Sequence, residues 1–189
     1  MNFKKTVFVG ALLIVSLLLA FFPVFGALTS STQITISSTH TSAVGLSTAK
    51  DEVGYGINKT FSNGSGTTQV ADLVYHASRT LTTAASENLD FAGTLTDSFG
   101  NTLTFARIKS ITVENTSASM TLTIGSDTTE IPIFNPSGGG ITVPPSGVMT
   151  IVAPLSGWAV TADTADLLTI ANSAGSSTIY KVWVVGSSQ

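Results

Sequence analysis

Apolar and polar positions divide this chain into three textures. Thr6–Phe22 is an almost uninterrupted apolar run behind Lys4 and Lys5. Ala27–Lys50 is Ser/Thr-rich and weakly apolar, and reads as a stalk or linker in which Gln33–Ser37 could form one short strand. From Asp51 onward, short apolar runs are separated by Gly, Asn and Pro. Alternation with period two marks a strand with one buried face.

The strand candidates come at close spacing. Gln69–His76 carries Val70, Leu73 and Val74; Gly93–Ser98 and Thr102–Ala106 flank a turn at Phe99-Gly100-Asn101; Arg107–Asn115 follows. In Met120–Gly125, Met120, Leu122 and Ile124 point one way and Thr121 and Thr123 the other. Glu130–Phe134 alternates around Pro132, which cannot donate to a ladder, so an edge strand is expected. Ile141–Val143, Gly147–Ala153, Trp158–Thr161, Leu167–Ala171 and Thr178–Val185 complete the set. Asn63-Gly64 is a hairpin-type turn signal, Pro136–Gly140 a loop, and only Ser78–Glu87 and Ala162–Ala165 could hold helical turns. The pattern predicts an all-β protein, a β-sandwich or jelly roll of about eight to ten short antiparallel strands, preceded by one N-terminal hydrophobic helix. Three regions are expected: 1–26 hydrophobic, 27–50 stalk, and 51–189 sandwich.

The first region has two readings. As a signal peptide it has a positive start, an apolar core and an acceptable cut before Ala27. As a transmembrane helix, Thr6–Phe25 is about 20 residues, enough to span a bilayer core of about 30 Å. Lys4 and Lys5 would then hold the N-terminus inside, and Pro23 would end the helix at the outer interface. A pilin-type leader cut after Gly10 fits less well, because Pro23 interrupts the long helix such leaders run into.

Composition sharpens this picture. Charged residues are 10% of the chain against 43% hydrophobic, which is too apolar for disorder, and Ser plus Thr exceed a quarter. Beyond residue 26 there are six basic and eleven acidic side chains with no Lys/Arg cluster. Phosphate neutralisation needs cations, so a nucleic-acid partner is not expected. The absence of Cys removes disulfides and thiolate metal sites.

Candidate chemistry is thin. His40 lies in the stalk and His76 at a strand end, and neither has a local partner of the kind acid–base work requires. Asp163 and Asp166 bracket a turn and are weak calcium candidates; such residues more often bind their own turn backbone. Glu87, Asp90, Asp97, Glu114 and Glu130 could form a glycosidase pair only if distant segments met. The Gly138-Gly139-Gly140 run lacks the Lys-Ser/Thr of a phosphate loop. Trp158, Trp183, Tyr55, Tyr75 and Tyr180 could form a sugar-stacking platform, but Tyr180 and Trp183 are three apart on one strand and should face opposite sides. Asn58, Asn63 and Asn115 begin glycosylation triplets. No catalytic residue and no cofactor is expected.

Ala71–Gly186 resembles a family of small β-sandwich proteins from the structural modules of tailed phages and prophages. The resemblance is carried by Ala71–His76, Arg79–Leu81, Leu89–Gly93, Leu95–Gly100, Leu103–Ala106, Gly157–Thr161, Asp166–Asn172 and Tyr180–Gly186. It implies a virion structural or capsid-decorating protein without catalytic residues. The resembling proteins begin close to the sandwich, whereas this chain carries a leader and a stalk, which points towards a membrane-associated or exported variant.

The expectation is therefore a non-enzymatic virion protein. It would associate with itself as a homo-oligomer and with other capsid proteins, and with a membrane through residues 6–25 if the leader stays uncut. The alternative is an exported cell-surface adhesin or carbohydrate-binding module.

Overall fold

Residues 27–126, 128–134 and 139–189 are described in a computed structural model. Their regular structure is all β, with no helix. The two longest strands come first: β1 (Ser30–Val44) and β2 (Ser47–Asn63) form an antiparallel hairpin of fifteen residue pairs, and β3 (Val70–Ala71) adds two parallel pairs to β2. Nine strands follow. They are β4 (Leu73–Leu81), β5 (Ser86–Asp90), β6 (Arg107–Asn115), β7 (Leu122–Gly125), β8 (Gly140–Val143), β9 (Val148–Val152), β10 (Trp158–Ala159), β11 (Leu167–Asn172) and β12 (Thr178–Ser187).

They make two sheets. One runs β10-β6-β12-β4, with β9 also paired to β6; the other runs β5-β11-β7-β8. Alternation along each strand sends one set of side chains inward. On β12, Tyr180, Val182 and Val184 are buried, while Ile179, Lys181 and Trp183 face out. On β6, Ile111, Val113 and Asn115 point in. The opposing sheet contributes Leu89, Leu122, Ile124, Leu168 and Ile170 to the same hydrophobic cluster. Phe91 and Phe105 close one end, edge to face, with ring centroids 5.7 Å apart. One core shared by two sheets is consistent with a β-sandwich.

The ladder between β12 and β6 shifts register at Val185/Gly186. Gly186 is required there: a Cβ would overlap the Arg107 carbonyl oxygen and meet the Phe105 ring at 2.6 Å. Lys109 is wholly buried beside this irregularity and donates through Nζ to the carbonyls of Thr68 (3.3 Å) and Leu155. Burial lowers its pKa from the ordinary lysine value, with the charge of Arg107 adding to the effect.

Several expected elements are placed differently. Gln33–Ser37 is the middle of a 15-residue strand, and the boundary at residue 50 falls inside β2. Asn63-Gly64 is not a hairpin turn; β2 ends there, and the hairpin turns at Gly45-Leu46 with Gly45 at φ 61°. Ser78–Glu87 holds the end of β4, a short turn and the start of β5 rather than helical turns. Thr161 and Ala165 form an isolated bridge around the turn expected at 162–165. Gly93–Ser98 and Thr102–Ala106 are joined only by the bridge Thr96–Thr102. Glu130–Phe134 is no strand: Glu130 makes one parallel bridge to Leu167, and the chain turns at Pro132 while Ile131 is buried. The expected N-terminal helix lies outside the described residues, as does most of the Pro136–Gly140 loop.

Candidate functional site

The β1–β2 hairpin has two chemically different faces, because residues paired across an antiparallel ladder share a side. One face carries the pairs Ile34–Ile57, Ile36–Tyr55 and Ser38–Val53, which make its proximal half apolar, and then His40–Asp51, Ser42–Ala49 and Val44–Ser47 towards the tip. The other carries Gln33–Asn58, Thr35–Gly56, Ser37–Gly54, Thr39–Glu52 and Thr41–Lys50. Every residue from 35 to 56 is exposed, including Ile36, Val53 and Tyr55, and Leu46 stands fully in solvent at the tip. At fifteen residues, β1 is about 50 Å long. An isolated two-stranded hairpin is at best marginally stable in water. This one is held at its base, where Phe61 and Leu28 pack on Ala71, Val74, Val152 and Val185. Thr32 Oγ1 also lies 3.0 Å from Ser110 Oγ.

That contact puts the apolar face of the arm on the outer face of the five-stranded sheet. Register orders the sheet's outward side chains into rows. Val152, Ser110, Val185 and Val74 form the row under the arm's base. The next two rows are Thr150-Thr112-Trp183-His76 and Val148-Glu114-Lys181-Ser78. Beyond them lie Ile179 and Thr80. Thr112 and Thr150 hydroxyls are 3.1 Å apart, Lys181 and Glu114 form a surface ion pair at 3.4 Å, and His76 Nε2 lies 3.0 Å from Ser98 Oγ. A cleft of about 330 Å³ opens between the base of the arm and the second row, walled by Ser30–Gln33, Thr112, Thr150 and Trp183. Trp183 is 41% exposed, and Ile179 and Val148 more so.

The residues singled out from sequence are scattered rather than convergent. Asp163 and Asp166 do share one turn, where the Asp166 carboxylate accepts the Asp163 N–H at 2.9 Å and Asp163 adopts φ 65°. Among the described residues no three His, Asp or Glu side chains gather as a metal site. His40 is on the arm opposite Asp51, whereas His76 is on β4. The carboxylates have separate local partners. Asp90 accepts from Ala92 N–H, Glu130 from Thr169 N–H, and Asp97 from the Phe99 and Asn101 N–H groups and the Asn101 amide. The Asn101 amide is the main reason the Asp97 pKa lies below the usual carboxylate value, and the loop it tightens presents an exposed Phe99. The five aromatics form no platform: Tyr75 and Tyr180 are buried, Trp158 packs on the core edge, and Tyr55 and Trp183 lie on different elements. Asn115 is fully buried with its amide engaged, which removes it as a glycan acceptor in the folded protein.

Glu87 belongs to a clamp between the two sheets. From β5 it receives Arg79 Nε at 2.7 Å and a second Arg79 nitrogen, and the Tyr180 hydroxyl donates to its other oxygen at 2.9 Å. Arg79 also reaches the Tyr75 hydroxyl at 3.3 Å. The bond to Glu87 raises the Arg79 pKa, and burial, reinforced by the Glu87 charge, pushes the Tyr180 hydroxyl well above its ordinary value. Glu87→Ala is expected to destabilise the fold by about 2–3 kcal/mol, by orphaning the Tyr180 hydroxyl and the inward side of Arg79. The partial exposure of Arg79 keeps this below the cost of a fully buried pair. Urea unfolding measures it, and a loss under about 0.5 kcal/mol would show that the clamp is not formed.

The chain matches no protein-family model, and no curated protein is significantly similar to it in sequence. Fold and surface therefore define its class: an all-β protein with a long hairpin arm projecting beside an open sheet face. Among the described residues no helix is long and apolar enough to cross a membrane.

Proposed function

We propose that this protein is a non-enzymatic virion structural protein, a jelly-roll-like sandwich that works by association with copies of itself and with other capsid proteins. The observation that carries the reading is the arm. Twenty-two consecutive residues, 35–56, are solvent-exposed in a paired ribbon with an apolar face. The exposed cluster of Ile36, Val53 and Tyr55 on that face marks an interaction site, and edge or ribbon elements are a common means of joining protein subunits. The local partners of the candidate carboxylates favour association over catalysis. A leader left uncut would root the particle protein in a lipid layer through residues 6–25. Cleavage before Ala27 would export it instead, and mass spectrometry of the N-terminus in purified particles distinguishes the two.

The test of association is sedimentation of the full chain in mild detergent beside a variant carrying Ile36→Ser, Val53→Ser and Tyr55→Ser. The full chain is expected to sediment as an oligomer, and the variant at least about tenfold more weakly associated. Its urea midpoint should barely change, because exposed positions away from special features alter stability by about 0.5 kcal/mol or less. A full chain that stays monomeric at high concentration removes the structural reading. The second reading, an exported adhesin or sugar-binding module, is favoured only by the open cleft beside Trp183. Binding of glycans to a monomer would select it.

A further inference from the structure

Resting on the self-association reading, we infer that the arm's partner is a second copy of this chain. The arms are exchanged reciprocally: the apolar face of each arm seats on the open outer face of the other copy's five-stranded sheet, around Trp183. The base of the arm already shows the complementarity. The same ribbon face that carries Ile36, Val53 and Tyr55 carries Phe61 and Thr32, which cover the first row of the sheet at Val185, Val74, Val152 and Ser110. The surface left bare on the arm thus continues one that binds this sheet. The rows left bare on the sheet continue the row that is bound, with Trp183, Ile179 and Val148 exposed among hydroxyls and one ion pair.

The arm does not serve its own sheet beyond that row. Its ladder runs through fifteen pairs without a register shift, and folding a ribbon back sharply takes a bulge or break. It leaves the sheet after Ile34, and its distal residues are exposed on both faces. Reciprocal exchange doubles what a single seat buries. The bare rows extend about 20 Å along strands that together span about 19 Å, so roughly 20 Å of the arm, which is about 10 Å wide, seats on them at the end bearing Ile36, Tyr55 and Val53. One seat then buries roughly 400 Å² in total and two related by a two-fold axis roughly 800 Å², which places the dimer among weak, concentration-dependent interfaces. The projecting arm carries Lys50, Asp51 and Glu52, with Asp51 opposite His40 on the seating face, and the sheet face presents the Lys181–Glu114 pair, so both surfaces stay close to neutral.

The natural absence of cysteine makes the test clean. Full chains bearing Ile36→Cys, or Ser78→Cys with a size tag, are mixed in mild detergent and treated with a short bis-maleimide. A product joining the two different chains is expected. It should be suppressed by Trp183→Ser in the sheet-bearing chain, and Trp183 fluorescence should shift to the blue as concentration rises. An oligomer by sedimentation with no arm-to-sheet product would overturn the seat while leaving self-association standing. In a chain carrying both Ile36→Cys and Ser78→Cys, a crosslink formed only within monomers would return the arm to its own sheet and also overturn it. Monomers throughout, whether or not they bind vesicles, would overturn both this interface and the association reading.

Discussion

Replacing Phe91 with alanine is expected to cost about 3–5 kcal/mol of folding stability, the range for removing a buried aromatic ring. Phe91 is wholly buried where the chain leaves β5, and its ring packs edge-on against Phe105 at an interplanar angle of 86°. Its backbone is tied on both sides: its N–H donates to the Asp166 carbonyl, and its own carbonyl accepts from Phe105 N–H, each at 2.9 Å. Neighbours held by main-chain bonds cannot easily collapse into the space, so the cavity term adds to the lost transfer free energy. Phe91→Leu, which keeps most of the volume, should cost about 1–1.5 kcal/mol. Urea denaturation of the three proteins measures both values. Equal small losses for alanine and leucine would mean that this end of the core is loosely packed.

Asn115→Asp is the other large effect, about 3–5 kcal/mol at neutral pH, because it places an uncompensated charge in a buried site. The Asn115 amide nitrogen serves three carbonyls, those of Met120 at 2.8 Å, Pro144 at 3.0 Å and Val143 at 3.2 Å, while its oxygen accepts from Ser117 N–H at 3.1 Å. An amide has only two N–H hydrogens, so one is shared. A carboxylate has none to give, and three carbonyl oxygens would face it. Burial and that repulsion raise the folded pKa of the new group above its unfolded value of about 3.9. The native state then binds more protons than the unfolded one, and stability falls as pH rises between the two pKa values. The variant should therefore be nearest to the parent below about pH 4 and weakest above the folded pKa. Urea midpoints of variant and parent at pH 4 and pH 8 decide it; a difference that does not change with pH would rule out the ionic cause.

Asn172 repeats this arrangement on the other sheet. Its amide donates to the carbonyls of Leu81, Thr82 and Ser176, and its oxygen accepts from the Thr178 hydroxyl. The sequence marks Asn115 only as the start of a glycosylation triplet and Asn172 not at all, because what makes each structural is the meeting of segments up to 91 positions apart.

Local pattern was informative wherever a strand has one face in the core. Arg107–Asn115 was bounded in the sequence as it stands in the fold, and β9, β11 and β12 differ by one or two residues at their ends. Tyr180 and Trp183 take opposite sides, as their spacing requires. The signal failed where burial does not shape composition. β5, Ser86-Glu-Asn-Leu-Asp90, has poor strand propensity and exists because β11 pairs with all five residues. The arm was missed for a related reason. Its Ser/Thr-rich first strand reads as a solvated stalk, and the period-two apolar set on one face becomes visible only once Ile36 is matched with Tyr55. Conversely, Ile131 and Ile133 alternate as in a strand, yet Pro132 and a turn leave Ile131 as a plug in the core.

By itself the sequence determined the all-β class and most of the core strands, since side-chain alternation and turn chemistry act over a few residues. It also supplied the apolar N-terminal run and a surface short of charge. Tertiary structure alone decided the pairing of β1 with β2, the register that sorts the arm into an apolar and a polar face, and the sheet face exposed beside it. Those are outcomes of contacts between segments far apart in the chain, whose free energy no local window contains.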